Sequence, residues 1–169
     1  ARKNLEARRH SDHIPRRRGQ VFINEGLGVN MVEIKQDILQ KILDHARASY
    51  PHECCGILLG KMTSPKRIMD AVKAENTNKE RAVDRYEMNP DELLRIEREA
   101  RQAGLEVVGV YHSHPDHPSS PSEFDRQRGW PEYSYIIVAV KGGAETEARS
   151  WTFIEEDEPF GEEELKVVK

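Results

Sequence analysis

The segment YHSHPDHPSSPSEFD, residues 111–125, joins the end of a predicted strand to the start of a predicted helix. The apolar run from Val107 to His112 is typical of a strand that is buried on both faces of a sheet. His112 and His114 are two residues apart at the end of this strand. Because side chains alternate between the two faces of a strand, both imidazoles are predicted to project to the same side. The two rings are therefore arranged to bind one metal ion.

A third ligand is predicted at the start of the following helix. The sequence there has the form of a helix start, with Ser120 as the N-cap, Pro121 at the first helical position and Glu123 at the capping-box position. Ser122 and Asp125 then lie three residues apart on one face of the first turn. Two neutral imidazoles and one carboxylate, here from Asp125, suit a zinc site that keeps one position open for hydrolysis.

Two alternatives remain open for this segment. Ser122 and Asp125 can themselves form an N-cap and its capping-box partner, which would be a purely structural role. Asp116 and His117 lie in the same loop and compete with Asp125 as metal ligands. Spacing along the chain does not separate these possibilities.

The surrounding pattern predicts a mixed α/β domain in which a central sheet is flanked by helices. One helix is predicted over Lys35–Ser49 from apolar residues at helical spacing, and another is capped by Asn89, opened by Pro90 and ended by Gly104. Strands are predicted at Gly56–Leu59, Ile68–Ala74, Val107–His112, Tyr135–Val140 and Trp151–Ile154, preceded by one at Gly19–Asn24 or Val29–Ile34.

Length and composition exclude several classes of protein. A chain of 169 residues, 37% of them hydrophobic, is long enough to bury one core without disulfides. No apolar run approaches the roughly 18 residues that a membrane span needs, and the Arg-rich start lacks the apolar stretch of a secretory signal. The two cysteines, Cys54 and Cys55, are adjacent, which favours a reducing, cytoplasmic compartment. Their predicted role is that of small buried residues at a strand start, rather than that of a protease nucleophile.

Charge is concentrated at the two ends of the chain. Residues 1–18 contain seven basic and two acidic residues, whereas residues 155–169 contain seven acidic and two basic residues. We therefore expect a basic N-terminal arm (1–18), a central domain (19–154) and an acidic C-terminal tail (155–169). A basic arm can bind nucleic acid, but the arm has no interleaved aromatic residues and the rest of the chain has no basic motif. Nucleic acid is therefore disfavoured as a partner.

The residues that carry this chemistry resemble the signature of a known family. The pattern H-x-H-P-x(6)-S-x(2)-D of the JAMM/MPN+ zinc metalloproteases is matched in full by His112, His114, Pro115, Ser122 and Asp125. A match at every position of so long a pattern is very specific.

A second segment strengthens the resemblance. Residues 50–60, YPHECCGILLG, are similar to the helix-to-strand segment of the family that contains the catalytic glutamate, and this glutamate falls on Glu53. The resemblance covers about Val32 to Ile154 in the order of elements as well as in motif. It implies a single MPN (JAMM) domain with cytidine-deaminase-like layering of a mixed sheet and helices.

The resemblance also implies a mechanism. One zinc ion per chain would be bound by His112, His114 and Asp125, with a catalytic water as its fourth ligand and nucleophile. Glu53 would act as general acid/base, taking the proton of that water and passing it to the leaving amine. Ser122 would hydrogen-bond the developing oxyanion.

The implied substrate is a small protein tail. The chain is similar to the small stand-alone prokaryotic members of the family, including the Mec-like peptidases that act on sulfur-carrier proteins of ubiquitin-like fold. Members that cleave ubiquitin chains carry two insertions that grip the ubiquitins, whereas the links Ala74–Asn89 and Asp125–Ser134 are short here. We therefore expect cleavage of a peptide or isopeptide bond at the glycine-ending tail of a ubiquitin-like or sulfur-carrier protein, bound as an added strand.

Other functions stay open beside this one. They are a non-catalytic MPN scaffold or interaction module, a deubiquitinase-type isopeptidase that acts on ubiquitin conjugates, and a nucleic-acid-associated hydrolase steered by the basic arm. Scaffold members of the family typically lack the metal ligands that this chain contains. No membrane partner is expected, and a homodimer is left open.

Overall fold

A computed structural model describes residues 30–156 and 158–169 of the chain. The basic arm predicted over residues 1–18 and the alternative strand at Gly19–Asn24 lie outside the described residues. No helix within them is both long and apolar enough to cross a membrane. In chain order the elements are β1 (Met31–Lys35), α1 (Gln36–Ser49), β2 (Cys55–Lys61), β3 (Lys66–Ala74), α2 (Pro90–Gln102), β4 (Glu106–Pro115), α3 (Glu123–Arg128), β5 (Ser134–Lys141), β6 (Glu145–Thr152) and β7 (Gly161–Val168).

The seven strands form one mixed sheet in the order β1-β3-β2-β4-β5-β6-β7, which closes because β7 pairs parallel with β1. β4 runs antiparallel to β2 and parallel to β5. Successive residues of β2 face opposite cores: Leu58 packs in the core that contains α1, and Ile57 packs in the core that contains α2. The structure confirms the predicted single domain, in which a mixed sheet is flanked by helices.

The predicted start of α2 agrees with the structure, and the predicted last strand does not. The Asn89 side chain accepts a hydrogen bond from the Asp91 N–H at 2.9 Å, and Pro90 is the first helical residue. The strand predicted at Trp151–Ile154 is wrong, because β6 runs over Glu145–Thr152. The first half of β6 is polar and largely solvent-facing, so apolar residues mark only the end of this strand in the sequence.

The segment predicted as an acidic tail, residues 155–169, contains β7. Glu162 and Glu164 are exposed, but Glu163 between them is 2% exposed and points into the fold. Its Oε1 lies 2.8 Å from Nζ of Lys66 on β3, and its Oε2 accepts a hydrogen bond from Oγ of Ser150 on β6 at 2.8 Å. Strand alternation therefore gives the acidic run a buried member that joins three strands. The division of the chain at residues 18 and 154 stays a prediction.

We predict that Glu163→Gln lowers the free energy of unfolding by about 2 kcal/mol, because the half-buried Lys66 ammonium loses its charged partner and keeps only neutral acceptors such as the Glu132 carbonyl. The matched control is Glu162→Gln, which breaks the exposed ion pair with Arg149 and should cost less than about 1 kcal/mol. Urea unfolding of the three proteins measures both values. Equal losses for the two variants would contradict a special role of the Glu163 contact.

Candidate metal centre

The site lies at the carboxyl end of β4. His112 and His114 are on the same side of the sheet and are 0% and 7% exposed, and their Nε2 atoms are 3.0 Å apart. Ser113, between them, faces the other way. Its Oγ accepts the Cys54 N–H at 2.9 Å, and its own N–H donates to the Cys54 carbonyl at 3.1 Å. These two bonds hold the segment that leads into β2 against the end of β4.

Asp125 is presented by α3, which starts two residues later than predicted. Ser122 is the N-cap and Asp125 is its capping-box partner, so the prediction of Ser120 as cap and Glu123 as capping-box residue is wrong. The Asp125 carboxylate accepts the Ser122 N–H at 2.7 Å, and Oγ of Ser122 accepts the Asp125 N–H at 3.2 Å. This reciprocal pair satisfies two N–H groups that a helix start otherwise leaves free.

Both oxygens of the Asp125 carboxylate lie near the imidazoles, and one of them also caps the helix, since Oδ2 is 3.7 Å from Nε2 of His114. Oδ2 accepts hydrogen bonds from both the N–H and the hydroxyl of Ser122, the latter at 2.6 Å. Oδ1 instead lies 3.1 Å from Nε2 of His112. The helix cap thus leaves Oδ1 directed at His112, and the structural and metal-ligating interpretations of this pair are compatible.

The donor set fits a divalent metal ion. The ligand atoms of His112, His114 and Asp125 all lie within 4.8 Å of one another. Nδ1 of His114 is 2.8 Å from the Pro118 carbonyl, so in the neutral imidazole this nitrogen carries the proton and Nε2 has the lone pair that a metal would bind. Nδ1 of His112 is buried and has no hydrogen-bond partner. Two imidazole nitrogens and a carboxylate oxygen, all buried and convergent, are typical of hydrolytic zinc sites.

Burial and close contact set the charges of this cluster. Burial alone would raise the pKa of Asp125, but the adjacent His112 and the hydrogen bonds that Asp125 accepts outweigh burial and hold this pKa well below its usual range. Burial lowers the pKa of His112. Burial also acts to lower the pKa of His114, but the hydrogen bonds to Asp125 and Pro118 together raise it. The cluster therefore contains an ionised carboxylate and a neutral His112, the forms in which these groups bind metals.

Glu53 lies beside the cluster without belonging to it. Cys55 on β2 is opposite His112 on β4, so the antiparallel register carries Glu53, two residues earlier, next to His114. Oε1 of Glu53 is 4.0 Å from Nε2 of His114. Glu53 is 6% exposed, and burial, which His114 only partly offsets, raises its pKa to about 8. A carboxyl that holds its proton near neutral pH beside a candidate metal site is suited to proton transfer.

The rival ligands of the loop are occupied elsewhere or lie apart from the cluster. Asp116 is exposed, and its carboxylate accepts hydrogen bonds from the Tyr50 hydroxyl and the Gly142 N–H, each at 2.8 Å. His117 is also exposed. Among residues 30–156 and 158–169, His112, His114 and Asp125 form the one group of three side chains that could hold a metal.

The two cysteines are buried, as expected for small residues at a strand start. Burial raises the pKa of the Cys54 thiol to about 11 and that of Cys55 further still. Since the thiolate is the nucleophilic form, neither residue supplies a cysteine-protease nucleophile near neutral pH.

One residue of the site escaped sequence analysis. Tyr86, in the link between β3 and α2, stacks on the ring of His112 with centroids 4.6 Å apart and an interplanar angle of 29°. The link has neither a motif nor helical or strand periodicity, so no sequence signal distinguishes Tyr86 from other loop residues. In the structure it covers one face of the His112 ring, a candidate metal ligand.

We predict that the chain binds one zinc ion and that His112→Ala weakens this binding by more than about 100-fold, because loss of a ligand costs at least as much as loss of a supporting hydrogen bond. His117→Ala is the matched control from the same loop and should bind zinc as the wild type does. Metal analysis after dialysis and competition with a chromophoric chelator measure stoichiometry and affinity. Zinc bound equally by both variants would exclude the cluster as the site.

We also predict that Glu53 lowers the free energy of unfolding of the metal-free protein by an amount that depends on pH. Because the pKa of Glu53 is about 8 in the folded chain against an ordinary value of 4.5, the folded state binds more protons between these values, and stability falls as pH rises. Glu53→Gln should therefore gain up to about 4 kcal/mol relative to the wild type between pH 5 and pH 8. Denaturant unfolding at both pH values measures the gain, with Glu145→Gln as the exposed control. A constant difference between Glu53→Gln and the wild type would contradict the raised pKa.

Comparison with known proteins identifies relatives over most of the chain. Residues 35–154 match the family described as prokaryotic homologs of the JAB domain. The chain is 35% identical over 126 residues to a desampylase of Haloferax volcanii, covering 72% of this chain and 88% of that protein. It is 30% identical over 144 residues to the CysO-cysteine peptidase of Mycobacterium tuberculosis, covering 83% of this chain and 94% of that protein.

A solved structure shows the same fold. The solution structure of a protein from Desulfitobacterium hafniense matches with a TM-score of 0.72 at 26% sequence identity, covering 82% of this chain and 94% of that one. None of these similarities supports a homodimer. Because the family match spans Glu53 and all three residues of the candidate metal site, the family indicated by the sequence is confirmed, and the chain belongs to the prokaryotic JAB-domain family as a hydrolase of the JAMM metallopeptidase type.

Proposed function

We propose that the chain is a zinc-dependent hydrolase that cleaves a peptide or isopeptide bond at the C-terminal tail of a ubiquitin-like or sulfur-carrier protein. The observation that carries this proposal is the buried cluster of His112, His114 and Asp125 with the carboxyl of Glu53 beside it. The substrate class is supported by the relatives, a desampylase and a CysO-cysteine peptidase, which act on proteins of this kind.

Three side chains would hold the metal and leave one position open: His112 and His114 through Nε2, and Asp125 through Oδ1. When bound, zinc supplies a Lewis acid that lowers the pKa of a water toward about 7 and polarises the scissile carbonyl. The Pro118 carbonyl orients the ring of His114, and Ser122 orients the carboxylate of Asp125. Such supporting contacts keep ligands in place as charge develops during the reaction.

Glu53 would serve as the general acid/base. Its carboxylate accepts a proton from the attacking water and delivers it to the leaving amine, so the nitrogen departs as a neutral group. The distance of 4.0 Å from His114 leaves the carboxyl near the cluster but outside its ligand set. Burial favours the protonated form, which raises the basicity of the carboxylate toward the range needed at neutral pH.

Ser122 would stabilise the oxyanion, but its single hydroxyl proton already has an acceptor. The hydroxyl donates to Oδ2 of Asp125, and the Ser122 N–H donates to the same oxygen. The N–H can hold the carboxylate alone while the hydroxyl turns to the developing oxyanion, where a donor contributes about 3 kcal/mol in other hydrolases. Ser122 therefore has a capping role in the free protein and a proposed catalytic role with substrate.

The two links beside the site, between β3 and α2 and between α3 and β5, are short, which favours the tail of one carrier protein over a ubiquitin chain as the substrate. Residues 75–89 and 129–133 contain no helix or strand. They offer little surface that could grip two ubiquitin-fold proteins at once, so we place deubiquitinase activity second. A non-catalytic scaffold is third, since such a protein needs neither the three ligands nor a buried glutamate beside them.

Incubation of the zinc-loaded protein with a ubiquitin-like carrier that bears a C-terminal extension tests the proposal. We expect mass spectrometry to show release directly after the terminal glycine of the carrier. Glu53→Gln should retain zinc and lose about 100-fold or more of the rate, because general acid/base catalysis is removed. Full activity of Glu53→Gln would refute the mechanism, and an intact substrate with zinc-loaded wild type would refute the substrate class.

A further inference from the structure

The loop between β3 and α2, residues 75–89, here called the 75–89 loop, holds the backbone of Glu53 beside the end of the β2–β4 pairing. β2 begins only at Cys55, so Glu53 lies outside the sheet. Its N–H donates to the Ala82 carbonyl at 2.6 Å, and its carbonyl accepts a hydrogen bond from Nδ2 of Asn76 at 3.1 Å. Both main-chain groups of the proposed general base are therefore bonded to this loop.

The side-chain amide of Asn76 both donates and accepts hydrogen bonds. Nδ2 donates to the Arg85 carbonyl at 3.0 Å as well as to Glu53, and Oδ1 accepts the N–H groups of Asn78 at 3.0 Å and Glu87 at 3.2 Å. Two donated and two accepted bonds are all that a primary amide can form with good geometry. A loop side chain with four main-chain partners links the backbone of Glu53 to the far end of its own loop.

That far end is attached to the metal cluster. Tyr86 stacks on His112, and the guanidinium of Arg85 lies 5.0 Å from the centre of the Phe124 ring, next to Asp125 in sequence. Glu87 is 3.1 Å from Arg128 of α3. Residues 85–87 thus contact both elements that present metal ligands, and Asn76 joins these residues to Glu53.

We propose that Asn76 is a positioning residue, which sets the distance between the Glu53 carboxyl and the metal cluster through the Glu53 carbonyl. This inference rests on the proposed role of Glu53 in hydrolysis. The side chain of Asn76 forms no hydrogen bond with the cluster or with the carboxyl of Glu53 among those described above. Its effect is to keep the general base in place during proton transfer, where a displacement of about 1 Å can cost 100-fold in rate.

Two substitutions separate this role from general support of the loop. Asn76→Ala removes all four bonds. Asn76→Asp keeps an acceptor for the N–H groups of Asn78 and Glu87 but places a carboxylate oxygen against two carbonyl oxygens, which repel it. Asn78→Ala is the matched control, because Asn78 is a neighbouring asparagine of the same loop whose Oδ1 accepts the Arg81 N–H at 3.0 Å.

Kinetics with the carrier substrate give the first readout. We expect Asn76→Ala and Asn76→Asp to lower kcat by about 10- to 100-fold, as loss of supporting contacts does in metalloenzymes, with KM and zinc stoichiometry unchanged and with kcat of Asn78→Ala near that of the wild type. A merely structural role would instead lower the folded and zinc-loaded fraction and leave the rate per bound zinc unchanged. That result, or a wild-type kcat in Asn76→Asp, would overturn the proposal.

Hydrogen exchange gives a second readout that needs no substrate. Asn76→Ala should increase amide exchange at residues 53–54 and 77–87 while the amides of β4 keep their protection. If the wild type cleaves no carrier, the proposed function fails, and exchange still decides whether Asn76 holds Glu53. Unchanged exchange at residues 53–54 in Asn76→Ala would overturn the positioning role in either case.

Discussion

The antiparallel pairing of β2 with β4 decides whether the reactive groups can meet. Cys55 lies opposite His112, and Ser113 bonds both main-chain groups of Cys54 at the end of β4. This register brings Glu53 next to His114, although the two residues are far apart in sequence. A slip of one residue between β2 and β4 would pair Cys55 with a neighbour of His112 and shift the segment that carries Glu53 along β4, away from His114. The chemistry of the site therefore depends on strand register before it depends on any single side chain.

Asp125 combines a structural role in the fold with its proposed role as a metal ligand. α3 has six residues, too few to be stable without tertiary contacts and caps. The Ser122–Asp125 capping box stabilises its first turn through one carboxylate oxygen and leaves the other facing His112. Loss of either residue would therefore affect the helix and the cluster together, so stability and metal binding have to be measured separately from rate in variants of this pair.

Two buried carboxyls differ in whether a basic side chain offsets the cost of their burial. Glu163 is satisfied by Lys66 and by Ser150, so its burial joins three strands at little cost. Glu53 is equally buried but has no lysine or arginine partner within salt-bridge distance among the described residues, and its pKa is raised to about 8. A buried acid without a lysine or arginine partner is unfavourable for stability, which is typical of groups retained for catalysis.

Sequence alone was sufficient for features set by local backbone geometry: the shared face of His112 and His114, the start of α2, and the apolar strands. It also contained the signature on which the family assignment rests. Tertiary structure decided the features that depend on competition between groups distant in the chain. These include the start of α3, the inward turn of Glu163, the stacking of Tyr86 and the placement of Asp116 outside the cluster. Periodicity specifies the direction of a side chain, but only packing specifies which partner it meets.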